Sequence, residues 1–279
     1  MAPTGDRRPI GVFDSGVGGL TVLAELRRRL PSEATLYLGD NARAPYGPRQ
    51  PDEVRRFALE CAQWLAGRNV KLLVIACNTA TAHALDAIRA TVDVPVLGVV
   101  RPGAVMASAA TRSGHVGVIA TAGTVGSGAY ERAIREANPE IAVVQQACPD
   151  LVPLVEAGRA GTAEARDAVS GYLGQLFAQD PAVDTLLLGC THYPILRPAI
   201  EAAVGPAVSV VDSAFTTALA TEDLLDALGA RSDAEPPGEH RITTTGDVAA
   251  FTNVARGVFG AELPEVEAVS VAAASGAVP

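Results

Sequence analysis

The chain has 279 residues, of which 48% are hydrophobic, and a formal net charge of −9. This length predicts one or two domains, with enough apolar residues for a packed core. No apolar run approaches the roughly 20 residues of a membrane helix, and residues 1–9 lack the features of a secretory signal, so we expect a cytoplasmic protein. Basic residues form only local clusters, which argues against direct nucleic-acid binding.

The cysteine and lysine content excludes several kinds of site. Four cysteines lie far apart and form no C-x-x-C pair: Cys61, Cys77, Cys148 and Cys190. This spacing argues against a disulfide framework, a zinc ribbon and a thioredoxin-type redox site. Lys71 is the only lysine, and it begins a predicted buried strand. Because pyridoxal enzymes hold their cofactor on a lysine, a pyridoxal mechanism is disfavoured.

Predicted strands and helices alternate along the chain. Apolar runs predict strands at 10–13, 35–38, 70–76, 94–99, 116–120, 141–145, 185–188 and 208–211, with a late strand near Ile242. Helical periodicity predicts helices at 21–30, 52–65, 80–91, 130–138, 163–178, 214–228 and 248–259. This alternation is typical of βαβ units, with parallel sheets and right-handed crossovers.

The two halves of the chain resemble each other. Residues 9–15 (PIGVFDS) are similar to residues 115–121 (HVGVIAT), and each segment precedes a cysteine by a similar interval. We therefore predict an α/β fold of two related lobes, each a mostly parallel sheet flanked by helices, with the active site in the cleft between them. The predicted first lobe is 1–98 plus 210–270, and the second is 99–209. Residues 271–279, rich in Ala, Ser and Gly, are predicted to be a disordered tail.

Two apolar runs end in the same way. Residues 72–76 lead into Cys77, and residues 186–189 lead into Cys190. Continuous apolar runs are typical of buried parallel strands, so each cysteine should follow a strand end, where open α/β folds bind ligands. A thiol at the start of the next helix should have a lowered pKa, because the helix dipole favours the thiolate. Two such thiols suggest a site approached from opposite sides, as a racemase requires.

Other polar residues follow predicted strand ends. Asp14 precedes a glycine-rich turn that begins a helix and favours an anion, although the turn lacks dinucleotide-binding and Walker spacing. Residues 39–48 form a turn-rich loop of the kind that often holds substrate. His192 could join Cys190 in a metal site or in a hydrolytic Cys–His pair, but the hydrolytic alternative leaves Cys77 without a role. Cys61 and Cys148 are predicted to be structural.

Four motifs occur in the order and spacing of one known family. Residues 11–19 (GVFDSGVGG), 45–47 (PYG), 76–80 (ACNTA) and 189–194 (GCTHYP) together resemble the glutamate racemases. The similarity extends from Ile10 to the last predicted helix. It implies an isomerase that needs no cofactor and no metal and that interconverts L- and D-glutamate. It also implies that the product D-glutamate is used for the peptidoglycan of the bacterial cell wall.

The resemblance implies roles for individual residues. Cys77 would exchange a proton with the D-enantiomer and Cys190 with the L-enantiomer. Asp14 would assist Cys77, while His192 and Glu156, which ends a predicted short apolar helix over 150–156, would assist Cys190. The implied substrate-binding residues are Asp14, Ser15, Tyr46, Gly47, Asn78, Thr79, Thr121, Thr124, Thr191 and His192. Backbone N–H groups and hydroxyl groups are expected to hold the substrate carboxylates, with Arg43 and Arg101 as alternatives.

Two alternatives stay open at this point. A racemase of another acidic amino acid, such as aspartate, would use a similar pair of thiols. A non-catalytic, two-lobed binding or regulatory protein would bind a ligand without exchanging its α-proton. The family resemblance implies a small-molecule substrate and a homodimer as a common assembly. Some glutamate racemases are reported to restrain DNA gyrase, but no motif in this chain supports that contact.

Overall fold

The computed structural model describes residues 5–271, and the predicted tail lies outside these residues except for Val271. Ten strands lie in this range: β1 (Ile10–Asp14), β2 (Thr35–Gly39), β3 (Leu72–Ile75), β4 (Val96–Gly98), β5 (His115–Ala120), β6 (Ala142–Ala147), β7 (Thr185–Gly189), β8 (Ser209–Asp212), β9 (His240–Thr244) and β10 (Val266–Ala268).

Eleven α-helices lie in the same range. They are α1 (Leu20–Arg29), α2 (Pro51–Ala66), α3 (Asn78–Arg89), α4 (Val100–Ala110), α5 (Ala122–Ser127), α6 (Ala129–Ala137), α7 (Leu151–Glu156), α8 (Ala163–Gln179), α9 (Arg197–Val204), α10 (Ser213–Leu228) and α11 (Val248–Phe259). None of these described helices is both long and apolar enough to cross a bilayer.

The strands form two separate sheets in which every pairing is parallel. The first has the order β10-β9-β2-β1-β3-β4, and the second has the order β6-β5-β7-β8. The β2-β1-β3-β4 part of the first sheet therefore has the same topology as the whole second sheet. Strands β3 and β7 occupy equivalent places, beside β1 and β5. The predicted fold of two related α/β lobes is confirmed.

Strand β3 shows why these apolar runs are held rigidly. Leu72 and Val74 pack into one hydrophobic cluster, while Leu73 and Ile75 pack into another on the opposite face of the sheet. Successive strand residues point to opposite faces, so a strand covered by helices on both sides must be apolar throughout. Strand β3 thereby fixes the position of Cys77, which follows its carboxyl end.

The predicted elements are found with shifted ends, and four others were missed. Each of the eight strands predicted as residue ranges forms within two residues of its predicted bounds. Strand β10 and helices α4, α5 and α9 were not predicted from the sequence. Helix α4 carries Pro102 and Gly103 in its first turn, a pair that is typical of turns, although Pro is compatible with a helix start. Strand β8 crosses the predicted lobe boundary between 209 and 210 and pairs with β7, so residues 210–212 belong to the second sheet.

The lone lysine forms a buried ion pair at the amino end of β3. The ammonium group of Lys71 lies 2.5 Å from a carboxylate oxygen of Glu33. It also donates hydrogen bonds to the backbone oxygens of Asp6 and Ala230, at 2.6 and 2.7 Å. The side chains of both ion-pair partners are almost fully buried. Lys71 therefore joins three segments of the first lobe at the end of β3 that lies away from Cys77.

Candidate active site

One cavity of about 130 Å³ lies between the two sheets, and both Cys77 and Cys190 line it. Cys77 follows β3 and Cys190 follows β7, the two equivalent strands. Each cysteine is only 5% exposed. The two thiols therefore share one enclosed space, which chemistry on two faces of a single carbon requires.

Most of the predicted site residues line this cavity. They are Ser15, Tyr46, Gly47, Cys77, Asn78, Thr79, Thr121, Glu156, Cys190, Thr191 and His192. Asp14 and Thr124 do not line it and are both fully buried. The cavity also has lining residues that the sequence did not assign: Pro45, Pro48, Ala122, Cys148, Pro149, Val152 and Pro153. Apolar side chains and prolines thus enclose the polar groups.

The Cys77 thiol lies at the start of helix α3. Its sulfur accepts a hydrogen bond from the backbone N–H of Ala80 at 3.4 Å and lies 3.5 Å from the hydroxyl of Ser15. Burial raises the pKa of Cys77 to about 12, and the negative charge of Asp14 acts in the same direction, against the smaller effect of the Ala80 donor. The prediction that the helix dipole lowers the pKa of Cys77 is therefore wrong. The cost of removing a thiolate from water exceeds the favourable effect of one helix end.

Asp14 lies behind the cavity and bonds to the segment that carries Cys190. Its carboxylate accepts hydrogen bonds from the backbone N–H of Gly16 at 2.9 Å and from the hydroxyl of Thr191 at 3.3 Å. Burial raises the pKa of Asp14, although the positive charge of His192 opposes the shift. This carboxyl group therefore retains a proton more readily than an exposed aspartate does. It lies near Cys77 and is bonded to the residue that follows Cys190.

A thiol, an imidazole and a carboxylate form a chain on the other side of the cavity. The Nδ1 atom of His192 lies 3.8 Å from the sulfur of Cys190, and its Nε2 atom lies 3.2 Å from an oxygen of Glu156. Burial acts to lower the pKa of His192. The hydrogen bonds to Cys190 and Glu156, together with nearby negative charge, outweigh burial and raise that pKa to about 10. His192 is therefore an imidazolium at neutral pH.

The glycine-rich turn of the first lobe, residues 15–19, lies very close to His192. A Cβ atom at Gly18 would lie 2.4 Å from the Nδ1 atom of His192 and 2.6 Å from the hydroxyl oxygen of Thr191. Helix α1 begins just beyond the turn, where the hydroxyl of Thr21 donates to the backbone oxygen of Thr191 at 3.0 Å. Glycine at position 18 is thus required because the side chains of the second lobe occupy the space.

Comparison with known proteins agrees with this geometry. Residues 13–221 match the family model for Asp/Glu/hydantoin racemases. The chain belongs to this racemase family. A glutamate racemase from Geobacter metallireducens is 46% identical over 266 residues, which cover 95% of this chain and 98% of the relative. The resemblance indicated by the four motifs is thereby confirmed, and as a racemase the protein is an isomerase.

Solved structures of relatives have the same fold. A glutamate racemase isoform from Bacillus anthracis superposes with a TM-score of 0.91 at 42% identity, covering 95% of this chain and 98% of that one. A glutamate racemase from Francisella tularensis, solved in complex with D-glutamate, gives a TM-score of 0.88 at 34% identity with the same coverage of both chains. The two-lobed architecture is therefore that of the solved glutamate racemases.

Threonine hydroxyls join the two lobes of this racemase beside the cavity. The hydroxyl oxygen of Thr79 lies 2.9 Å from that of Thr121 and 3.2 Å from that of Thr124. Next to them, the backbone N–H of Gly123 donates to the backbone oxygen of Gly47 at 2.9 Å. Thr79 and Thr121 face the cavity, whereas Thr124 lies behind them and bonds to both. Thr124 therefore contacts the predicted binding hydroxyls without lining the cavity itself.

The turn-rich loop of the first lobe is held by a charged network. The hydroxyl of Tyr46 donates to a carboxylate oxygen of Asp40, so the tyrosine lines the cavity with its hydroxyl already bonded. Arg43 donates to the same carboxylate at 2.7 Å and also pairs with Glu60. Arg43 and Arg101 both lie outside the cavity lining, and none of the lining residues within 5–271 is Lys or Arg.

Cys148 lines the cavity, and this was not predicted from the sequence. It was predicted to be structural, yet it lines the cavity, directly after β6. Its thiol donates to the backbone oxygen of Gln146 at 3.5 Å, and burial raises its pKa. Its position after a strand end was the available signal. The neighbouring proline directed the interpretation towards a turn instead.

The metal-site alternative for Cys190 and His192 lacks further ligands. Across the part of the chain that the structure describes, no group of three or more His, Cys, Asp and Glu side chains is arranged to hold a metal ion. The nearest partner of the imidazole is Glu156, which bonds to the nitrogen remote from the sulfur. The three groups therefore lie in a row rather than converging on one point.

The raised pKa of His192 predicts a pH-dependent contribution to stability. Because the folded protein holds the imidazolium against Glu156, this contribution should be complete below about pH 6.5, the ordinary pKa of histidine. It should be lost as the pH rises through about 10. We expect His192→Gln to cost roughly 1–3 kcal/mol of unfolding free energy at pH 6 and much less at pH 10, as measured by urea titration. An equal cost at both pH values would contradict the assignment.

Proposed function

We propose that this chain is a cytoplasmic glutamate racemase that interconverts L- and D-glutamate without a cofactor. The observation that carries the proposal is the placement of Cys77 and Cys190, which follow equivalent strands of two equivalent sheets and line one cavity. The choice of glutamate is supported by the relatives named glutamate racemase and by the D-glutamate bound to the Francisella tularensis relative.

Racemisation requires one proton to leave and another to arrive on the opposite face of the α-carbon. In the direction from L to D, the thiolate of Cys190 takes the α-proton, and the electron pair of the broken C–H bond stays on the carbon. The thiol of Cys77 then gives its proton to that carbon and becomes a thiolate. The reverse reaction exchanges the two roles. The sulfurs end each turnover with their protonation states exchanged.

The electrostatics of the two sides differ. The imidazolium of His192 places a positive charge beside the sulfur of Cys190. The raised pKa of Cys77 keeps it as a thiol in the free enzyme. The same burial makes the Cys77 thiolate, once formed, a stronger base than an exposed thiolate, which helps it remove a weakly acidic α-proton. Asp14, with its raised pKa, is placed to assist on that side.

The substrate is held by neutral groups in this proposal. Since neither Lys nor Arg lines the cavity among the described residues, the carboxylates would accept hydrogen bonds from the hydroxyls of Ser15, Thr79 and Thr121. The N–H groups at the start of α3 add to these donors, because a helix start favours an anion. A closed cavity also strengthens these hydrogen bonds and excludes water from the carbanion.

Isotope exchange tests the proposal directly. When purified protein converts L-glutamate in D₂O, we expect the first D-glutamate formed to carry deuterium at the α-carbon, because the arriving proton comes from a solvent-exchanged thiol. Circular dichroism follows the change of configuration, and proton NMR follows the α-hydrogen. D-Glutamate that retains its original α-hydrogen would overturn the two-base mechanism. Faster turnover of aspartate than of glutamate would overturn the substrate assignment.

The product has a proposed use in the cell wall. D-Glutamate would enter peptidoglycan, so expression of this chain should restore growth of a bacterium that requires added D-glutamate. The Cys77→Ala variant, expressed at the same level, serves as the matched control and should not restore growth. Assembly as a homodimer and a contact with DNA gyrase stay predictions.

A further inference from the structure

Tyr130 lies between the two cysteine-bearing segments, although none of the four motifs includes it. It is the second residue of α6 and is fully buried. A Cβ atom at Gly189 would lie 2.8 Å from the Cε2 atom of Tyr130. The phenol ring therefore packs directly against the residue that precedes Cys190.

The hydroxyl of Tyr130 reaches the other lobe. The side-chain Nδ2 of Asn78 donates a hydrogen bond to this hydroxyl oxygen at 2.7 Å. Asn78 is the first residue of α3 and follows Cys77 directly. One phenol thus contacts the neighbour of each cysteine, with its ring on one side of the cleft and its hydroxyl on the other.

The amide of Asn78 has one unused group. Asn78 lines the cavity and is 2% exposed, and its Oδ1 atom is buried without a hydrogen-bond partner among the described residues. Buried amide oxygens in folded proteins nearly always have a donor. A missing donor at a cavity wall therefore indicates that the bound molecule supplies it.

We propose that Tyr130 is a positioning residue for the racemase. By accepting the N–H of Asn78, it leaves the amide oxygen to accept a hydrogen bond from the ammonium group of the substrate. If the amide turned over, the Tyr130 hydroxyl would donate to Oδ1 instead and an N–H donor would face the ammonium group, so only the orientation in which Tyr130 accepts suits the substrate. This inference rests on the proposed function, since it takes an amino acid as the ligand.

Replacing Tyr130 by phenylalanine removes the hydroxyl and keeps the ring against Gly189. We expect Tyr130→Phe to raise KM about 10-fold for both enantiomers and to change kcat by less than about 3-fold, because one charge-assisted hydrogen bond is weakened in every bound state. Burial raises the pKa of Tyr130, so the hydroxyl stays neutral and the pH profile of kcat should not move. An unchanged KM would overturn the inference.

Glutarate separates positioning from a general loosening of the cavity. It carries both carboxylates of glutamate but no ammonium group. The inhibition constant of glutarate should therefore change less than about 2-fold in Tyr130→Phe, while the dissociation constant of D-glutamate, measured by calorimetry, rises about 10-fold. Equal weakening of both ligands would show that the variant disturbs the whole cavity, and would overturn the positioning role.

Two further variants complete the experiment. Asn78→Ala should weaken D-glutamate binding as much as the double variant Tyr130→Phe/Asn78→Ala, because Tyr130 acts through Asn78. Tyr172→Phe is the matched control: it removes a tyrosine hydroxyl bonded to Asp150, outside the cavity, and should leave KM unchanged. Turnover of glutamate by the wild-type protein is measured first. Failure of the proposed function is then seen in the wild type, and failure of this inference only in the variants.

Discussion

Cys77→Ala and Cys190→Ala are each expected to abolish racemisation, with a fall in kcat of at least about 10³-fold, because each removes the group proposed to exchange a proton on one face of the substrate. The fold should be unaffected, since both side chains are small and border a cavity rather than a packed interior. Polarimetry with each enantiomer measures the loss. Circular dichroism and thermal unfolding establish that the variants are folded.

The two variants should differ in which enantiomer still exchanges its α-hydrogen with solvent. In D₂O, Cys77→Ala still has Cys190 beside His192. It should therefore exchange the α-hydrogen of L-glutamate for deuterium without changing the configuration of the α-carbon. Cys190→Ala should do the same only for D-glutamate. Near-normal racemisation by either variant, or equal exchange of both enantiomers, would contradict the two-base assignment.

Cys61→Ala is the matched control for both substitutions. Cys61 is a buried cysteine of α2 that lies outside the cavity lining, beside the guanidinium of Arg43. Its replacement removes the same thiol from a position where no proton transfer is proposed. The kcat value should stay within about 2-fold of wild type, because substitutions away from the reacting atoms rarely alter the chemical step. A large fall would show that loss of any buried thiol impairs the enzyme.

Lys71→Met is expected to lower the free energy of unfolding by about 3–5 kcal/mol, because it leaves the carboxylate of Glu33 buried without its counter-charge. The two side chains are 0% and 3% exposed, so solvent screens the pair little. Urea titration at neutral pH gives the value. Below the unfolding transition kcat should match wild type, since Lys71 lies outside the cavity lining.

The double variant Lys71→Met/Glu33→Gln provides the control for this prediction. Removing both charges leaves no uncompensated ion, so most of the lost stability should return. Glu33 also accepts a hydrogen bond from the backbone N–H of Ser232 at 2.8 Å, an interaction of the carboxylate that is weakened in Gln. A double variant as unstable as the single one would mean that the lost packing of the lysine stem and its lost hydrogen bonds to Asp6 and Ala230, rather than the unpaired charge, cause the effect.

Local sequence patterns were sufficient to predict the strands and the residues at their ends. An apolar run followed by Cys77 or Cys190 predicts a buried strand with a thiol at its carboxyl end, because strand burial and strand direction are encoded locally. Two such runs in a repeated α/β pattern then predict that the ends face one cleft. The structure places both thiols in one cavity for that reason.

The direction of the pKa shift at Cys77 could not be predicted in this way. Its helix start is local, but its burial depends on elements from both lobes, and burial dominates the shift. Cys148 was missed for a related reason. A cysteine followed by a proline is typical of a turn in the local sequence. Only the packing of α7 and the neighbouring loops shows that Cys148 faces the cavity.

The sequence by itself determined the class of fold, the family and the strand-end positions of the two cysteines proposed to react, because strands, turns and short motifs depend on neighbouring residues. Tertiary structure alone decided which groups surround them. Gly18 must be glycine because of His192, and Asn78 is oriented by Tyr130, partners that are distant along the chain and meet only when the lobes pack. The burial of each site residue and the charges around it depend on side chains from both lobes. These surroundings exist only when the whole chain is folded.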